Sequence, residues 1–190
     1  MSTTIEAVFW DFGGVLTESP FDAFARYEHA RGLPRDFLRE TNARDPHTNA
    51  WARFERGELS TEDFDAAFHA ETAERGHPVP GRDLLPLLAG AVRPGMVRVL
   101  DRVRRHYTVA CLTNNSPAGT GAGMSQDADH ARAVDDVMQR FTFVLESSRA
   151  GVRKPEPDFY RQACERAGVA PEQVIFLDDL GINLKSAHAL

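Results

Sequence analysis

The sequence predicts an α/β protein: a Rossmann-like parallel sheet sandwiched by helices, with a helical segment inserted between the first two strands. Three observations predict it. Four short apolar runs each end in a polar cluster. The runs are continuous rather than alternating, as strands covered on both faces are. Helical patterns separate them, as crossovers between parallel strands require.

The first run is IEAVFWD, Ile5 to Asp11. Ser19 then offers an N-cap, Pro20 suits the first helical position, and Phe21, Phe24 and Tyr27 recur at helical spacing until Gly32 closes the helix. A second helix begins at the capping-box-like STEDF and carries Phe64 and Phe68 on one face. The segment HPVPGRD interrupts the pattern, and AVRPGMVRVLDRVRRHY reads as a helix leading into the second strand. That strand is TVACLTNN, Thr108 to Asn115; the third is FTFVLESS, Phe141 to Ser148; the fourth is VIFLDD, Val174 to Asp179. The stretch between the first and second strands far exceeds one crossover helix. The expected organisation is therefore a core of residues 1–16 and 91–190 with a helical subdomain at 17–90. The glycine- and serine-rich NSPAGTGAGMSQDADH, residues 115–130, reads as an exposed loop. The sequence stops after FLDDLGINLKSAHAL, which leaves a sheet edge exposed unless a fifth strand follows.

Composition narrows the partners. A net charge of −6 with no offsetting basic face excludes a nucleic-acid footprint, and the RRHY at Arg104 to Tyr107 is too short to supply one. Cys111 and Cys164 are too few for a disulfide framework and lack metal-site spacing, so both read as buried thiols. The opening MSTTIEAV has neither the basic nor the apolar stretch of a secretory signal, and no apolar run approaches the ~20 residues of a membrane span. A cytoplasmic protein without a membrane partner is expected. The seven histidines show no HExxH or paired spacing.

Chemistry concentrates at the strand tips. Asp11 ends the first strand, Thr113 and Asn114 the second, Asp178 and Asp179 the fourth, and Lys154 sits in a KPEP turn before a helix. Taken singly these are ordinary turn or cap residues. Taken together, acids from two strands suit Mg²⁺, which prefers hard oxygen ligands and keeps several waters. A lysine supplies a compact charge for a phosphate, and a hydroxyl and N–H groups at a strand-to-helix junction add donors. Ligands of open parallel sheets bind at the carboxyl ends of strands, where these residues lie.

In this order the phrases VFWDFGGVL, ACLTNN, GVRKPEPDFY and VIFLDDLGINLKSA resemble the four motifs of the haloacid dehalogenase superfamily. The insert resembles the helical cap of its C1-capped members, and the phrasing is similar to the amino-terminal phosphatase domains of soluble epoxide hydrolases. The resemblance implies a Mg²⁺-dependent phosphatase of a small phosphorylated metabolite. Asp11 would be the nucleophile. Asp11, the Gly13 carbonyl and Asp179 would hold the metal, with Asp178 supporting it from behind. Thr113 and Asn114 would hold phosphoryl oxygens, and Lys154 would balance charge between nucleophile and phosphate. Glu156 stands where many relatives have Asp.

Gly13 is the main departure. Most phosphatases of the superfamily carry a second aspartate there to move the leaving-group proton, and glycine can move none. A rival reading follows: a weak or inactive module that binds a phosphorylated ligand. Halide-releasing hydrolysis is a third, disfavoured by the adjacent acids Asp178 and Asp179. Phosphonatase chemistry needs a cap lysine, and residues 17–90 contain none. Trp51, Phe54, Leu59, Phe64 and Phe68 are expected to form the insert's core, and Arg53 and Arg56 a solvated helix face.

Overall fold

The structure is a computed structural model that describes residues 4–116 and 128–190; most of the glycine-rich loop expected at 115–130, and residues 1–3, lie outside the described residues. The elements run β1 (Ala7–Trp10), α1 (Pro20–Arg31), α2 (Phe37–Ala43), α3 (Ala50–Glu55), α4 (Thr61–Glu74), α5 (Pro94–Val103), β2 (Thr108–Thr113), α6 (Ala128–Met138), β3 (Phe143–Glu146), α7 (Ser147–Ala150), α8 (Pro157–Ala167), β4 (Val174–Leu177) and α9 (Gly181–His188). Each strand is shorter than its apolar run: Asp11, Asn114 and Asn115, and Asp178 and Asp179 lie beyond the ends of β1, β2 and β4, and Ser147 and Ser148 open α7.

The four strands among the described residues are parallel in the order β3-β2-β1-β4. Side chains of β1 alternate between two cores, as a period of two requires. Val8 and Trp10 pack with Leu100 of α5 and Val134 and Val137 of α6. Ala7 and Phe9 pack on the other face with Phe159, Tyr160 and Ala163 of α8. β1 to β2 to β3 steps one way across the sheet and β4 returns to the far side of β1. The reversal opens a crevice between the carboxyl ends of β1 and β4, where a ligand finds room. Among the described residues β4 is an edge strand, with Ile175 exposed.

The insert has its own core. Phe24, Phe37, Leu38, Phe54, Leu59, Phe64, Phe68 and Leu84 form a buried cluster separate from those under the sheet, with Phe54 stacked on Phe64 at 4.2 Å between ring centres. The caps that bound it are local chemistry. Ser19 Oγ accepts from the Phe21 N–H, Gly32 closes α1 at φ 65°, and Ser60 Oγ accepts from the Asp63 N–H at 3.1 Å. Two chain crossings join insert to core side by side. Thr17 bridges Val92 antiparallel, and the Arg93 N–H donates to the Leu16 carbonyl at 2.8 Å. Among the described residues no helix is long and apolar enough to cross a membrane.

Candidate active site

Register brings the predicted residues together. Trp10 pairs with Cys111 of β2 and Leu177 of β4, so the residues after these strands emerge side by side. The Asp11 N–H donates to the Leu177 carbonyl at 2.7 Å, which sets Asp11 beside Asp178. Lys154 lies between the two acids, its Nζ 2.7 Å from Asp11 Oδ1 and 2.8 Å from Asp178 Oδ2, with its side chain 1% exposed. A buried ammonium is costly unless paired and hydrogen-bonded, and this one is both. Burial works against its charge, yet Asp11 and Asp178 outweigh burial and hold the Lys154 pKa above the usual lysine value. Burial likewise raises Asp11, from the ordinary 3.8 to about 7, against the pull of Lys154.

The remaining oxygen of Asp178 is occupied from behind: Oδ1 accepts from the Leu180 N–H at 2.8 Å and from Asn183 Nδ2 at 2.9 Å. Asn183, within the phrase VIFLDDLGINLKSA, is thus an anchor, and its backbone carbonyl accepts from the Tyr160 hydroxyl at 3.0 Å. Asp179 is exposed at the mouth of the crevice, over the backbone of Gly14. A methyl on Gly14 would lie 2.1 Å from Asp179 Oδ2, and Gly14 has φ 74°. Of the two glycines after Phe12, Gly14 carries the steric constraint. Gly13 has open space: a Cβ there meets nothing within 4 Å.

The donor set fits a hard divalent cation. Asp11, Asp178 and Asp179 each offer an oxygen, and these lie within 4.8 Å of one another. Asp178 is the least free of the three, since Lys154, Leu180 and Asn183 already use its oxygens.

Asn114 spends its side chain on scaffolding. Its Oδ1 accepts from the Lys154 N–H at 2.9 Å, and its Nδ2 donates to the Lys154 carbonyl at 2.9 Å and to Glu55 Oε2 at 3.1 Å. Thr113 is buried at the end of β2 and faces the cavity. Asn115 ties β2 to β3 through Ser147 and Glu146.

A cavity of about 350 Å³ rises from Asp11, Thr113 and Lys154 to the insert, which contributes Phe21, Phe24, Trp51 and Leu88 as an apolar wall. Phe54, Leu59, Phe64 and Phe68 sit in the insert's core as expected, but half-buried Trp51 lines the cavity. Arg53 keeps an exposed side chain. Arg56 does not lie on a solvated face as expected: its side chain is 13% exposed and reaches Glu156 of the core at 3.3 Å. Buried Glu55 of α3, which no sequence motif marks, pairs with Arg153 at 2.5 Å. The available signal was an acid one turn after Trp51 on the inward helix face.

The chain matches the haloacid dehalogenase-like hydrolases over residues 5–190, and it belongs to that family of hydrolases. Among curated relatives it is 30% identical over 190 residues to acyl-CoA dehydrogenase family member 10 of Mus musculus, covering 97% of this chain and 17% of that protein. It is 27% identical to bifunctional epoxide hydrolase 2 of the same species, covering 94% of this chain and 34% of that protein. It is 25% identical to a sesquiterpene phosphatase of Aspergillus oryzae, covering 100% of this chain and 88% of that protein. The chain thus spans about a third or less of the first two relatives. Among solved structures, L-2-haloacid dehalogenase of Xanthobacter autotrophicus superposes with a TM-score of 0.66 at 22% identity, covering 98% of this chain and 74% of that one. A family enzyme of Bacteroides thetaiotaomicron, in complex with magnesium and inorganic phosphate, gives 0.61 at 20%, covering 97% and 90%. At these identities the likeness is one of fold.

Proposed function

We propose that the chain is a Mg²⁺-dependent phosphatase acting on a phosphorylated metabolite with an apolar body. The observation that carries this reading is the floor of the cavity: a carboxylate, Asp11, paired at 2.7 Å with a buried lysine and flanked by two further acids. Asp11, the Gly13 carbonyl and Asp179 would hold the cation, with Asp178 behind them, and the bound ion would offset repulsion between Asp11 and an incoming phosphoryl group. Thr113, through its hydroxyl, and Asn114, through its backbone N–H, would hold phosphoryl oxygens. Lys154 would balance the charge that builds between nucleophile and phosphate.

The reaction then runs in two displacements. An Asp11 carboxylate oxygen attacks phosphorus, the bond to the leaving oxygen breaks, and an aspartyl-phosphate forms. Water takes the second displacement, returning the Asp11 carboxylate and releasing phosphate. Residues 17–90 would act as a cap, closing over the site about the paired crossings at Thr17 and Val92 and excluding bulk water. The aromatic wall supports an apolar substrate body, as does the similarity to a sesquiterpene phosphatase.

Phosphate release over a panel of aryl, acyl and alkyl phosphates with Mg²⁺ tests the reading. Asp11→Asn is expected to lower the rate about a thousand-fold or more on compounds the wild type hydrolyses, and EDTA to abolish it. Equal rates for the two proteins on every compound overturn the proposal, and hydrolysis of 2-chloropropionate that survives EDTA points to halide release instead. The rival reading, a ligand-binding module, rests on Gly13, which offers no proton to the leaving oxygen. It predicts phosphate binding with no turnover.

A further inference from the structure

We propose that Glu55 is a positioning residue that couples the aromatic wall of the cavity to the placement of Lys154; the inference rests on the phosphatase reading for its activity arm. Glu55 belongs to the insert but its carboxylate is buried against the core. One oxygen, Oε2, accepts from Asn114 Nδ2 at 3.1 Å and Arg153 Nε at 2.5 Å, both on the core. The other, Oε1, accepts from Trp51 Nε1 at 2.8 Å, on the insert. Arg153 also donates to the Pro46 carbonyl, a second tie to the insert at 3.1 Å.

The consequence follows from what Asn114 does. Its side-chain amide grips the N–H and the carbonyl of Lys154 at 2.9 Å each, fixing the backbone from which the ammonium reaches Asp11. Glu55 in turn fixes the amide's orientation, because a carboxylate only accepts and so holds the Nδ2 end toward itself. Arg153, adjacent to Lys154 in sequence, is held from the same oxygen. A substrate body resting on Trp51 thus presses on a group hydrogen-bonded to the acid that orders the Lys154 loop. Displacements on the order of 1 Å at a reacting centre cost about a hundred-fold in rate. When the insert lifts, Asn114 and Arg153 lose their shared acceptor and the Lys154 loop loosens. In this way a closed insert and a charged floor are assembled together.

The experiment uses Glu55→Gln, which keeps size and one acceptor oxygen, beside Arg153→Gln as a second probe should the first fail to fold. Folding is checked by circular dichroism. The expected result is a kcat about ten- to a hundred-fold below wild type with KM changed less than about three-fold. The double variant is expected to be no slower than the slower single one, since both act through one contact. Hydrogen exchange at the Lys154 amide, measured without metal, with and without inorganic phosphate, is expected to accelerate at least about ten-fold while amides of β2 stay unchanged. A merely structural acid would lower folded fraction and leave kcat per folded molecule intact. Wild-type kcat and unchanged Lys154 exchange in a folded variant overturn the inference. If the wild type hydrolyses none of the esters, the phosphatase reading fails, and the exchange measurement alone decides the role of Glu55.

Discussion

Gly13 and Gly14 differ by one position and obey opposite physics. Gly14 holds φ 74° and packs its Cα against the carboxylate of Asp179, so a methyl there would meet an oxygen at 2.1 Å. Left-handed backbone costs a non-glycine residue about 1–2 kcal/mol, and the collision adds to it. Gly13 carries neither constraint. A side chain there has free space at the mouth of the cavity, so the absence of an acid is not imposed by packing. The pair yields one contrast to measure. Gly14→Ala is expected to lower thermal stability and, on the phosphatase reading, to weaken Mg²⁺ binding by displacing Asp179. Gly13→Asp is expected to fold normally and to raise turnover of alkyl phosphates by about 10²-fold while leaving aryl and acyl phosphates unchanged, because only poor leaving groups need a proton. Steady-state kinetics and thermal melts on both variants decide it. A Gly13→Asp variant without gain on alkyl phosphates shows that proton transfer is not limiting.

At the scale of elements, most of what bounds a helix is spelled out locally. Ser19, Pro20 and Gly32 delimit α1, and Ser60 begins α4, because caps need only residues a few positions apart. The strands were legible for a similar reason: a parallel sheet covered by helices reads as continuous apolar runs, and even the edge strand β4 keeps one. Helices α2 and α3 were not, because seven and six residues carry too little periodicity. Their place is set by long-range packing instead. Phe64 of α4 is 0% exposed and stacks on Phe54 of α3, so its ring is a joint between two helices. Phe64→Ala is expected to cost about 3–5 kcal/mol, measured by urea unfolding. A loss under about 1 kcal/mol would show that the insert's core repacks around the gap.

At the scale of the whole molecule, the site is a charge balance assembled from three distant segments. Lys154 stands between Asp11 and Asp178, and the three lie at the tips of β1 and β4 and in the loop before α8. Burial raises Asp11 to about 7, so the folded protein holds that proton more tightly than the unfolded chain does. The stability this proton contributes is complete below the unfolded value of 3.8 and is lost as pH rises through about 7. Asp11→Asn escapes the loss. The metal-free melting temperature of that variant is therefore expected to exceed the wild type's by a margin that widens from about pH 5 to about pH 8. A margin that is constant or narrows over that range refutes the account of the buried triad.

What the sequence by itself determined is the local part: four apolar strands, the caps of α1 and α4, and the set Asp11, Thr113, Asn114, Lys154, Asp178 and Asp179 at strand tips and turns. These depend on spacings of a few residues, which a linear chain displays directly. Only the tertiary structure decided that Asn114 grips the Lys154 backbone, that Arg56 and Arg153 reach across to Glu156 and Glu55, and that Trp51 faces the cavity. Those contacts join residues up to a hundred positions apart, and which of several arginines and acids meet is set by how the insert folds back over the sheet. Side-chain type alone leaves that choice open, because an arginine pairs as well with one carboxylate as with the next until packing removes the alternatives.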